Sequence, residues 1–209
     1  MSTATICMQL RGESGSLWQT LGTEEIAAAV QASAGILGAM RDYQLAALYR
    51  LAEQYDGGRI LEIGTLQGRS ARILAAAAPS AQIVTLTPDM YGAKIARKNV
   101  RDLNVEVVVT RSVDYLAQDC ALWDMVFVDG DHYRVAEDVP WFNKLAVGGL
   151  IVFHDYTPPS AEHSRKGYPP VVAAVDGLAQ RLGRRPDVLL VDSLEVGMAG
   201  FYRRKGEQA

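Results

Sequence analysis

Two short segments of this sequence concentrate side chains that can move protons or hold a cation. The first, Asp124-Met125-Val126-Phe127-Val128-Asp129-Gly130-Asp131-His132-Tyr133, closes an apolar run with two carboxylates and an imidazole. The second, Gly148-Gly149-Leu150-Ile151-Val152-Phe153-His154-Asp155, closes another with an imidazole and a carboxylate. Oxygen ligands such as Asp129 and Asp155 are what Mg²⁺ prefers. A histidine of ordinary pKa, about 6.5, can accept a proton at neutral pH. His132 is therefore either a general base or a residue that bonds the start of the next helix. Asp129 and Asp155 are metal ligands or plain carboxylates, and Asp131 is open in the same way. All three histidines, His132, His154 and His163, fall after one or other of these runs.

A third segment carries no acid–base pair but a ligand-shaped backbone. In Leu61-Glu62-Ile63-Gly64-Thr65-Leu66-Gln67-Gly68-Arg69-Ser70, Gly64 lets the chain turn sharply beside a ligand, and Gly68 does the same where a helix begins. The N-terminus of that helix offers free N–H groups to a carboxylate. Glu62 suits an ammonium or a sulfonium. The spacing is not Gly-x-Gly-x-x-Gly, so the dinucleotide fingerprint is absent.

These residues need elements to bring them together. Short β-rich runs occupy 59–63, 82–86, 105–109, 125–128 and 150–153, separated by helix-compatible stretches at 70–78, 90–102, 113–118 and 135–145. Such alternation predicts parallel βαβ units with right-handed crossovers. Their apolar continuity implies helices on both faces. Ligands then bind outside the carboxyl ends of the strands, where all three segments lie. A helix over 171–182 precedes two runs, 188–191 and 197–202, too close in sequence to be anything but antiparallel to each other. Residues 1–57 are expected to add an irregular start and helices to the same domain, with Thr23 capping one helix and a second running from about Ile36 to Tyr55. Residues 58–209 form the core. The stretch from Tyr156 to Pro170 reads as a lid or as a surface loop.

Composition narrows the classes. A chain of 209 residues holds one sizeable core. Its net charge of -3 argues against nucleic acid as a partner. No run approaches the ~20 apolar residues of a membrane span, and no signal peptide is evident. Cys7 and Cys120 suggest neither a disulfide framework nor a metal site, which fits a reduced, cytoplasmic setting.

Acid-x-Gly-x-x-x-Gly-x-Ser after the first core strand, followed in order by the two acid- and histidine-bearing runs, resembles the class I S-adenosylmethionine (SAM)-dependent methyltransferases. Within them it is similar to bacterial small-molecule and sugar O-methyltransferases, over roughly Gly58 to Arg203. The resemblance implies a Rossmann-like α/β fold: a mostly parallel seven-stranded sheet ending in an antiparallel hairpin, with N-terminal helices. It implies a SAM pocket shaped by Glu62, Gly64, Thr65 and Gly68, with Ser70 on the cofactor carboxylate and Ser112, Val113 and Asp114 bordering adenine. Asp129 borders the cofactor as well. Asp129 and Asp155, with His154, would hold a divalent metal such as Mg²⁺, and His132 would be the base that frees a hydroxyl of a small-molecule acceptor. One position departs from the family. Thr87 stands where an acidic residue usually grips the ribose, and Asp89 either compensates or caps the next helix. That departure keeps a noncatalytic SAM-binding scaffold as the alternative. The N-terminal helices are candidates to cover the site or to join copies into a homo-oligomer.

Overall fold

The computed structural model describes residues 8–158, 167–192 and 195–209. In chain order the elements are β1 (Gln9–Gly12), α1 (Ser14–Leu21), α2 (Glu24–Ala32), α3 (Asp42–Ala52), β2 (Arg59–Ile63), α4 (Arg69–Ala77), β3 (Gln82–Thr87), α5 (Met90–Asn99), β4 (Val105–Val109), α6 (Ser112–Gln118), β5 (Trp123–Val128), β6 (Leu145–Tyr156), α7 (Pro169–Leu182), β7 (Val188–Asp192) and β8 (Gly197–Tyr202). Two 3-10 turns, Val135–Glu137 and Val139–Lys144, replace the single helix expected between β5 and β6. Pro140 removes an N–H inside that stretch, which breaks a continuous helix there.

The sheet has eight strands in the order β1-β7-β8-β6-β5-β2-β3-β4. β8 runs antiparallel to both β6 and β7, and the other pairings are parallel. The expected mostly parallel sheet with a terminal antiparallel hairpin is therefore present, with one strand added. That strand, β1, comes from a segment whose sequence looked irregular. It pairs in register from Gln9–Leu189 to Gly12–Asp192 and covers what would be the open edge of β7.

Consecutive strand residues face opposite layers. Ile60, Met125, Phe127, Leu150 and Val152 pack with α1 to α4, whereas Leu61, Val126, Val128, Ile151 and Phe153 pack with α7 and the 3-10 turns. Burial on both faces explains why these strands read as unbroken apolar runs. Thr23 caps α2 as expected, its hydroxyl accepting the Ile26 N–H at 3.3 Å. The helix expected from Ile36 begins only at Asp42. Arg69 Nη1 donates to the carbonyls of Gly38 and Met40 at 3.4 and 2.9 Å, and Gln44 Oε1 accepts the Arg41 N–H at 2.7 Å. Residues 36–41 thus stay off the helix and become a wall of the site. Residues 159–166 of the expected lid or loop, His163 included, lie outside the described residues. Among the described residues no helix is long and apolar enough to cross a membrane.

Candidate active site

The strand order sets β2 between β3 and β5, and β6 beside β5, so all three chemistry-bearing segments end at one edge of the sheet. At β2 the construction is mainly backbone. Gly64 adopts φ 107°, and a Cβ there would lie 2.1 Å from the Asp129 carbonyl oxygen. Only glycine fits. Gly68, at φ 85°, is the N-cap of α4 in the left-handed region. Two cavities of about 200 Å³ each meet at Gly64. One is walled by Thr65, Leu66, Arg69, Ser70, Asp129, His132 and Asp155, with 37–40 closing it. The other takes in Leu86, Pro88, Arg111, Ser112, Asp131 and Arg134. A wider cleft of about 740 Å³ lies across the 38–40 wall, rimmed by the ion pairs Arg41–Glu195 and Arg69–Asp42. It contains none of the acid–base groups, so the two smaller cavities mark the chemistry.

Glu62 is fully buried behind the turn and lines neither small cavity. Its Oε2 accepts from Thr85 Oγ1 at 2.5 Å, and Thr65 and Thr85 share a hydroxyl bond of 2.6 Å. Its Oε1 is buried without a partner. Burial pushes the Glu62 pKa up to about 7, against the hydroxyls of Ser70 and Thr85. Thr87 is buried and accepts the Asp89 N–H at 3.2 Å. Asp89 caps α5 through the N–H groups of Tyr91 and Gly92 at 2.9 and 3.0 Å, so the capping alternative for it is realised. Ser112 lines the second cavity and donates to Asp138, an acid that burial pushes up to about 6. Val113 and Asp114 line neither cavity.

The β5 and β6 ends are built from side chains. His132 Nε2 meets Asp155 Oδ2 at 2.5 Å, and His154 Nδ1 lies 3.1 Å from both Asp129 Oδ1 and Asp155 Oδ2. Two successive residues, His154 and Asp155, both reach this cluster although a regular strand sends neighbours to opposite faces. The register with β8 slips between His154 and Tyr156, and Asp155 takes φ 60°, a conformation rare outside glycine. The bulge turns Asp155 back to the His154 side. Strain of this kind persists where surrounding structure enforces it, and it clusters at functional sites.

The electrostatics follow from burying opposite charges together. Burial opposes charge on His154, but Asp129 and Asp155 outweigh it and hold its pKa up to about 10. Burial would raise Asp155, yet His132 and His154 hold it well below the usual carboxylate range. The bond to Asp155 raises His132. Among the described residues, ligand atoms of Asp129, His154 and Asp155 lie within 4.8 Å of one another. Two carboxylates balanced by one histidine cation form a site that calls for positive charge, and their oxygens fit a hard divalent ion. His154 Nε2 is buried without a partner.

Sequence reasoning thus found every charged residue of the cluster. It missed the 37–40 wall, because the helical spacing of Leu37 and Met40 masked an irregular stretch. It also missed Asp138, whose sequence surroundings carry no signal.

Residues 61–156 match the family model described as a methyltransferase domain. No curated protein matches the chain in sequence. Among solved structures, cofactor-bound Rv0187 from MTB is 29% identical, covering 91% of this chain and 96% of its own, with a TM-score of 0.66. The O-methyltransferase TomG from Streptomyces achromogenes, in complex with SAM, is 24% identical over 90% of this chain and 95% of its own, at TM-score 0.65. The O-methyltransferase from Bacillus cereus with SAH is 22% identical over 79% and 84%, at TM-score 0.61. Sheet order, turn and domain match define a class I methyltransferase fold. The methyltransferase-domain match spans the chain from β2 to β6, the stretch that builds the site, and the solved structures share its fold.

Proposed function

We propose that the protein transfers a methyl group from SAM to a hydroxyl of a small molecule of sugar or phenol type, assisted by a divalent cation such as Mg²⁺. The observation that carries this reading is the convergence of Asp129, His132 and Asp155 on the cavity beside Gly64, with His154 bonded behind the two carboxylates. TomG and the Bacillus cereus protein are O-methyltransferases with SAM or SAH bound, which supports the donor and the oxygen acceptor.

The chain's residues divide the work. Ser70 and the first N–H groups of α4 receive the cofactor carboxylate. Glu62 Oε1, buried and unpartnered, answers the cofactor ammonium across Thr65. Gly64 lets the backbone approach, and Gly68 starts α4 close against Ala96 and Val100. Leu86 and Ser112 border the adenine, while Thr87 and Asp89, each bonded within the chain, line neither cavity. SAM supplies an electrophilic methyl on its sulfonium. Asp129 and Asp155, with His154 beside them, would hold the cation, which would orient the acceptor hydroxyl and lower its pKa. His132 donates Nε2–H to Asp155, which leaves Nδ1 to take the acceptor proton. The 37–40 wall keeps water from the methyl group.

Methyl transfer from isotopically labelled SAM to a panel of sugars and catechol-type phenols tests the reading. Turnover should require Mg²⁺ and vanish in Asp129→Asn. Turnover that survives chelation removes the metal, and SAM binding with no transfer across the panel favours a binding protein.

A further inference from the structure

A base that takes a proton at Nδ1 needs a fixed ring plane as well as a fixed Nε2. A histidine bonded through a single nitrogen can still rotate about that bond, and a base with a wandering ring plane is a poor one. The His132 ring is not left so. The Tyr168 ring lies over it with centroids 4.2 Å apart and planes 7° from parallel.

Three features of the sequence make Tyr168 a fixed platform rather than a passing contact. Pro169 and Pro170 follow it as the first residues of α7, and a residue before proline is driven out of the helical region. Tyr168 accordingly sits at φ -65°, ψ 124° as the N-cap. Gly167 precedes it and packs so closely on β6 that an added Cβ would lie 2.7 Å from the Thr157 nitrogen and 2.8 Å from the Asp155 carbonyl oxygen. The backbone that carries Tyr168 is therefore pressed onto the same residue whose carboxylate bonds His132. Val171, next along α7, is buried in the core and anchors the helix start.

We infer that Tyr168 is a positioning residue for methyl transfer: its ring, held by Gly167 against Asp155 and by the Pro169-Pro170 helix start, fixes the plane of His132 while Asp155 fixes its Nε2. The inference rests on reading His132 as the base. The stack needs an aromatic face and not the phenol hydroxyl, because it is a ring-on-ring contact.

The test compares Tyr168→Leu, which keeps apolar volume but loses the ring, with Tyr168→Phe, which keeps the ring. Proton NMR of the His132 Cδ2–H and Cε1–H groups, assigned by their loss in His132→Ala, reads the stack without any acceptor. In the wild type these resonances should be shifted upfield by the tyrosine ring current. Tyr168→Leu should move both downfield, and Tyr168→Phe should restore them. With any acceptor from the panel, kcat should fall at least about tenfold in Tyr168→Leu, recover in Tyr168→Phe, and leave SAH affinity by calorimetry unchanged. His132 resonances that stay in place in Tyr168→Leu, or a Tyr168→Phe enzyme as slow as Tyr168→Leu, would overturn the inference. Because the NMR readout needs no turnover, it separates failure of the stack from failure of the base assignment, which the kinetics of His132→Ala test alone.

Discussion

The turn after β2 and the paired ends of β5 and β6 form one site by opposite means. The turn is made of backbone: Gly64 and Gly68 at positive φ, a helix start, and hydroxyls around a buried Glu62. The paired ends are made of charge: two carboxylates and two histidines brought together by strand order and one bulge. A backbone-built region should fail by losing its fold. A charge-built region should fail by losing its chemistry and by becoming sensitive to pH.

The largest effect expected is on the backbone side. Gly64→Ala places a Cβ 2.1 Å from the Asp129 carbonyl oxygen at an unfavourable φ, and should cost about 4 kcal/mol in urea unfolding or prevent soluble expression. Tolerance of alanine there would show that the two regions are less tightly apposed than described.

Asp155→Asn comes next. It leaves His154 with one charged partner and should cost about 3 kcal/mol near neutral pH, read by the same unfolding. The sign can be checked by titration. His154 is raised, so its contribution is full below the ordinary 6.5 and is lost as pH rises through about 10. Asp155 is lowered, so its contribution is full above the ordinary 3.8 and is lost as pH falls below it. The wild type should therefore lose stability at both extremes, and Asp155→Asn should show a shallower acid limb.

Asp138→Asn should act in the other direction. Its pKa is raised from 3.8 to about 6, so folding favours the neutral form and the benefit is lost as pH rises through about 6. Removing the charge should gain about 2 kcal/mol at pH 7.5 and flatten the profile between pH 4 and 6. The smallest effect is expected from Thr85→Val, which removes a hydroxyl donor from Glu62 and should cost about 1 kcal/mol.

The same contrast explains what could be read from the sequence. Strands 59–63 and 105–109 have their expected bounds because apolar residues crowd between turn formers. The glycine turn was legible because backbone needs leave a residue-type signature. The charged residues were legible as a set, but their contacts were not. Asp155 joins His154 only through a bulge against β8, about forty residues later, and no local pattern encodes it. β1 escaped for a similar reason, since its four residues acquire meaning only against β7 at the far end of the chain. The failure at Ile36 differs in kind. A helical spacing was present, and the Arg69 guanidinium took the carbonyls that the helix needed.

The central claim is that the charged cluster holds a cation beside the β2 turn. Calorimetric titration of Mg²⁺ into the SAH-saturated protein tests this without knowledge of the acceptor. One divalent ion should bind per chain, and binding should disappear in both Asp129→Asn and Asp155→Asn. Absence of Mg²⁺ binding in the wild type, or binding that persists in both variants, would contradict it.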